Sequence, residues 1–173
     1  MHKILLGLGT IAFLLVSACQ TAPKIAFTPQ TLQHGRLLWK TSSKSLVADI
    51  IIQKSANGDT RLILTKETGS PILIITRTTS LLDVDERMNG KHWRGEPSRL
   101  PSALIGWSAL IDAIAVSKHM PEGFNEVHDA SGWNAIYRIQ NGKLETLDVF
   151  SEESNERYRI AVSSPVSATA GMR

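Results

Sequence analysis

The sequence predicts an α+β fold: an open antiparallel β half-barrel of about eight to eleven strands with a helical plug. Three observations lead there. Short runs of alternating apolar residues recur between turn signals along most of the chain. A single stretch switches to helical period. At least one strand carries large aliphatics on both faces, so neither face is fully solvated. A wide meander must curl because sheets twist, and its concave side then needs a filler. The helical stretch is the segment suited to fill it.

The elements follow in order. Residues 36–42 read as a strand. Residues 45–54 read as the next, with Leu46, Ala48, Ile50 and Ile52 on one face and Val47, Asp49, Ile51 and Gln53 on the other. Asn57-Gly58 supplies the positive φ angles of a hairpin turn. Residues 61–66 return, with Leu62 and Leu64 facing one way and Ile63 the other, and Gly69-Ser70 turns the chain into residues 72–78. Strands at 81–87 and 91–94 follow, joined by Asn89-Gly90. From 101 to 117 the apolar residues fall at Leu104, Trp107, Ile111 and Ile114, the stripe of an amphipathic helix, widened by Leu100 and Leu110. Pro101 suits a first helical turn and Ser98 a nearby cap. Strands resume at 124–129, 133–140, 143–150 and 157–163, and Asn141-Gly142 is the clearest hairpin signal of all.

The N-terminus has a different character. Met1-His2-Lys3 is a short basic start, and residues 4–16 are uncharged and mostly apolar. That run is too short for a helix across a bilayer of ~30 Å and fits the apolar region of a signal peptide. Val16-Ser17-Ala18 then precedes Cys19, the single cysteine of the chain. This resembles the lipobox of bacterial lipoproteins, where the thiol takes a diacylglycerol, the bond before Cys is cut and the new amine takes an acyl chain such as palmitate. An ordinary signal peptide with a chance cysteine is the alternative. A lone free thiol exported to an oxidising compartment argues against it. The residue after Cys19 is Gln20 rather than Asp, which by the same resemblance implies the outer membrane, with the anchored domain on the periplasmic side.

The domain plan is therefore a lipoprotein signal peptide at 1–18, lipidated Cys19 and a tether at 19–33, the half-barrel at 34–163 and a small polar tail at 164–173. The tether reading rests on Pro23, Pro29 and the lack of periodicity. Removing residues 1–18 leaves 155 residues, enough for one core, and changes the formal charge only by Lys3, from +3 to +2. No basic block is present, so nucleic acid is not an expected partner. With Cys19 acylated no thiol remains for a disulfide, a metal site or nucleophilic catalysis.

Sites of chemistry are otherwise sparse. His34, His92, His119 and His128 lack the spacing of metal ligands, and Asp83 and Asp85 lack the rest of a calcium loop. Gly106-Trp107-Ser108 is no nucleophile elbow, since the second glycine is missing and Ser108 sits mid-helix. No carboxylate pair or triad presents itself, so neither an enzyme, a metal nor a cofactor is expected. Trp93 and Trp133 fall near turns, where they can cover a sheet edge.

The order of elements, with several local patterns, resembles the LolB family of outer-membrane lipoprotein receptors. Arg61-Leu62-Ile63-Leu64-Thr65-Lys66-Glu67-Thr68-Gly69-Ser70, followed by Pro71-Ile72-Leu73-Ile74, carries the densest likeness. Gly35-Arg36-Leu37-Leu38-Trp39 resembles the family's first strand, and residues 94–114 its extended stretch and Leu/Trp helix. The resemblance implies an unclosed barrel whose apolar cavity takes the acyl chains of lipoproteins from a periplasmic LolA-like carrier. It also implies a monomer held at the membrane by its own lipid and working without nucleotide or cofactor. Cavity candidates on this reading are Trp39, Ile50, Ile52, Leu62, Leu64, Ile72, Ile74, Trp107 and Ile111. Thr68 and Gly69 fall in the membrane loop, where the family has an exposed Leu before Gly-Ser; Lys66-Glu67-Thr68 disfavours entry into acyl chains. The other expectation is a structural or interaction lipoprotein that reuses the fold to bind an envelope protein.

Overall fold

The computed structural model describes residues 25–163. The expected signal peptide, Cys19, the first part of the expected tether and the expected tail from 164 lie outside them. Ten strands form one antiparallel sheet: β1 (Pro29–Lys40), β2 (Ser45–Ser55), β3 (Thr60–Thr65), β4 (Pro71–Arg77), β5 (Leu82–Glu86), β6 (Lys91–Gly95), β7 (Gly123–His128), β8 (Asn134–Gln140), β9 (Lys143–Ser151) and β10 (Glu156–Val162). The order is β6-β5-β4-β3-β2-β1-β10-β9-β8-β7, so the sheet is open between β6 and β7. The one α-helix among the described residues, α1 (Ile105–Val116), enters between these two edge strands in the sequence.

The sheet wraps around α1. The helix packs on β3 and β4 in one half and on β9 in the other. Trp107, Leu110, Ile111, Ala113 and Ile114 are buried, together with Gly106 and Ser108. The helix is thus covered on most sides, as a plug must be, rather than along one stripe. Its partners are the inward residues of the strands: Leu37, Ala48, Ile50, Ile52, Leu62, Leu64, Ile75, Leu147, Val149 and Ile160 are all buried in the same cluster. Full burial of each large aliphatic contributes about 1.5–3 kcal/mol.

Three local expectations are corrected. The first strand starts at Pro29, not at residue 36, because the ladder with β2 runs on from Leu32↔Gln53 to Pro29↔Ser55. Backbone pairing needs no apolar alternation, and proline is tolerated as the first residue of a strand. Part of the expected tether is therefore sheet. The helix begins later than expected, because Leu100 and Pro101 are both extended (ψ 134° and 140°) and a 3-10 turn, Ser102–Leu104, intervenes. Proline restricts Leu100, the residue before it, to extended backbone, and Pro101 itself is not yet helical, so the first helical turn falls after it. Ser98 lies in a separate 3-10 turn, and α1 has no side-chain N-cap. By contrast, Asn141 and Gly142 both have positive φ (53° and 69°), the turn that their sequence implies.

Candidate functional site

The sheet is filled unevenly along its strands, and the site is where the filling stops. Toward the ends joined by turns 41–44, 66–70 and 87–90, the concave face opens into a cavity of about 770 Å³. Trp39, Leu46, Leu64, Ile72, Leu73, Val84 and Trp93 line it from the strands. Pro101, Ala103, Leu104 and Trp107 close it from the α1 side. Polar groups gather near the β5–β6 turn, where Glu86, Asn89, Lys91 and His92 join Met88. An apolar lining with a polar edge, at a volume inside the usual ~300–1,000 Å³, suits a small apolar ligand with a polar end.

One wall is held by an aromatic and carboxylate cluster. The rings of Trp39 and Trp107 lie 5.8 Å apart, and Trp107 meets Tyr158 edge-on at 4.9 Å. Trp39 and Trp133 lie 6.4 and 6.1 Å from the same tyrosine. The Trp39 indole N–H donates to Glu156 Oε1 at 2.8 Å, and the Tyr158 hydroxyl donates to the same oxygen at 2.5 Å. Burial pushes the Tyr158 hydroxyl pKa far up, and its bond to Glu156 adds to the rise. Tyr158 therefore stays neutral and keeps the proton that it donates to Glu156. Gly106 makes this closeness possible: a Cβ there would stand 2.5 Å from the Tyr158 hydroxyl and 2.9 Å from Glu156 Oε2. The start of α1 thus rests on the cluster, with the carboxylate near the positive end of the helix.

Of the residues singled out from sequence, Trp39, Leu64, Ile72 and Trp107 line the cavity. Ile50, Ile52, Leu62 and Ile111 sit in the solid core instead. Ile50, Ile52 and Leu62 face the same way as the cavity lining, but α1, which carries Ile111, covers that part of the sheet. Ile74 is a correction of face. The register shifts between Leu64 and Thr65, where β3 skips Ile72; Ile74 pairs with Ile63, and Leu73 and Ile75 take the inward positions. A bulge of this kind moves every later side chain to the other face. Thr68 and Gly69 form the exposed tip of turn 66–70. Thr68 borders a shallower, polar cleft with Arg36, Val47 and Lys66.

Leu46, Leu73, Val84, Met88, Trp93 and Leu104 also line the cavity, although none was a cavity candidate from the sequence. Trp93 had a signal: it pairs with Val84, so alternation places the two on one face. Trp133 is buried against Tyr158 rather than capping an edge. His92 lies 3.2 Å from Asp83, which also pairs with Arg94 at 3.8 Å. Among the described residues no three His, Asp or Glu side chains form a metal-binding group. Among them, too, no helix is long and apolar enough to cross a membrane. No family model and no curated protein matches this chain.

Proposed function

We propose that this protein is a non-enzymatic, LolB-like lipoprotein of the outer membrane, anchored through Cys19 on the periplasmic face. It binds acyl chains of other lipoproteins in its cavity and aids their localisation, receiving them from a LolA-like carrier. The observation that carries the reading is the 770 Å³ apolar cavity, open at one end of a sheet whose other end is solidly packed. An acyl chain leaving water for such a lining is stabilised by ~0.8 kcal/mol per buried CH2. The polar groups at Glu86, Lys91 and His92 suit the hydrated end of the ligand.

The test is uptake of a fluorescent fatty acid by the purified protein. Ala103→Trp, which fills the cavity from the α1 side, should weaken uptake without lowering stability. Absence of uptake by the parent protein would sink the reading.

A second reading, an interaction lipoprotein that binds an envelope protein, has one observation in its favour. Turn 66–70 offers Lys66, Glu67 and Thr68 to solvent, with no apolar side chain to enter a bilayer. Unchanged lipoprotein sorting after deletion of the gene would favour it.

A further inference from the structure

The outer face of the sheet is not a plain polar surface. Leu38 pairs with Val47 on one side and Arg159 on the other, so three strands place these residues in one row. Leu38 is 39 % exposed and Val47 57 %, unusual for aliphatics in the middle of a sheet. Alternation along β1 and β10 sets Arg36, Lys40 and Arg157 around them on the same face. Two carboxylates share this area, Asp49 at 3.7 Å from Arg36 and Asp148 between Arg157 and Arg159. Four cations against two anions leave it basic. Across β10, β9 and β8, the row of Arg36 ends at Phe124 on edge strand β7, which is 75 % exposed.

The chain enters the domain on this face too. The Arg61 guanidinium stands over the Phe27 ring at 4.2 Å, and Arg61 lies on the outer side with its pair Thr76. Phe27 is eight residue steps from Cys19 in the sequence, a reach of at most about 29 Å, so an anchor at Cys19 leaves this face within reach of the bilayer.

We infer that the outer sheet face around Leu38, Val47 and Arg159 docks on the anionic surface of the bilayer that holds Cys19, leaving the cavity mouth turned to the aqueous side. The inference rests on lipidation of Cys19, part of the proposed function, but not on what the cavity holds. Each arginine near an anionic surface favours docking about fivefold, and apolar side chains between the cations enter the headgroup layer. Pointing the mouth to the aqueous side suits an exchange of ligand with a soluble carrier.

The test uses the full lipidated protein in vesicles containing phosphatidylglycerol, with acylation confirmed by mass spectrometry. Acylated Cys19 does not react, so a fluorophore goes to one introduced thiol at a time: Val47→Cys on the outer face, or Met88→Cys or Ala103→Cys at the cavity mouth. Spin-labelled lipids carrying the quencher near the headgroup should quench the Val47 label several-fold more than the other two. Arg36→Gln with Arg159→Gln should remove most of that difference, as should replacing phosphatidylglycerol by phosphatidylcholine. Stronger quenching at Met88 or Ala103 overturns the proposal in favour of a mouth-down pose. Equal quenching at all three overturns it in favour of free tumbling. Fatty-acid uptake is read in the same vesicles: lost docking with intact uptake refutes the docking alone, and intact docking without uptake refutes the cavity reading alone.

Discussion

Trp39 and Glu156, 117 residues apart in the chain, are joined by a 2.8 Å hydrogen bond that fixes one wall of the cavity. Because β1 and β10 are neighbours, the bond spans adjacent strands near the end of the sheet where the cavity opens. The same carboxylate oxygen accepts from the fully buried Tyr158, so its loss strands a donor that water cannot reach. Glu156→Ala should destabilise the fold by about 2–3 kcal/mol, while Glu156→Gln, which keeps an acceptor, should cost about 1 kcal/mol or less. Urea midpoints of the two variants check the difference. Equal losses would show that the carboxylate acts through its charge at the start of α1 rather than as an acceptor.

Gly106 tests the same cluster from the helix side. Its neighbours, the Tyr158 hydroxyl, Glu156 Oε2 and the Trp133 ring, leave no room for a methyl group. Gly106→Ala should cost about 1–3 kcal/mol, although alanine is the better helix former. Tryptophan emission should shift with it, since Trp39, Trp107 and Trp133 all adjoin Tyr158. A stabilised variant with unchanged emission would mean that the helix start is free to move outward.

The far end of the sheet gives a pH dependence. Lys54 donates to Ser117 Oγ at 3.1 Å, below the end of α1. Burial, helped by the nearby Lys118 charge, lowers its pKa from 10.5 to about 8. Between these values the unfolded chain binds the proton that the folded protein has released, so stability rises with pH. The gain is confined to the window from about pH 8 to 10. Above it, Tyr137, raised by burial to about 12, works in the opposite direction: the folded protein keeps a proton that the unfolded chain has lost. One proton over two pH units is worth at most about 2.7 kcal/mol. Denaturation midpoints at pH 8 and 10 measure it, and Lys54→Met should flatten the rise.

The fold was largely legible because strand alternation and turn chemistry are local. Asn141-Gly142 dictated its own turn, and the switch to helical period at Leu104, Trp107, Ile111 and Ile114 located the plug. The cavity was only half legible. Alternation tells which way Leu62 and Leu64 point, but not which of them α1 covers, because that depends on how deep the helix sits along the strands. Nor does it reveal the register shift after Leu64, which turned Ile74 outward and brought Leu73 in. The Glu156 link was illegible for a related reason: a carboxylate at the start of a strand reads as a turn residue until β1 and β10 are known to be neighbours.

That distinction between covered and uncovered positions on one face is itself testable. Leu62 is fully buried in the core, whereas Leu46 is only partly covered and borders the cavity. Leu62→Ala removes packed methyl groups and leaves a void, which costs about 2–5 kcal/mol. Leu46→Ala merely widens a space that already exists, so its cost should stay nearer the transfer term, about 1.5 kcal/mol or less. Binding should follow the reverse order. Leu46→Ala removes contact surface from the ligand and should weaken uptake of a fatty-acid probe, most for the shorter chains, which have the least surface elsewhere to compensate. Leu62→Ala should leave the affinity of the folded fraction unchanged. Chemical denaturation and probe titration of the same two variants measure both orders. If Leu62→Ala shifts affinity as much as Leu46→Ala does, the ligand reaches past Trp107 into the core, and the boundary drawn between cavity and packed interior is wrong.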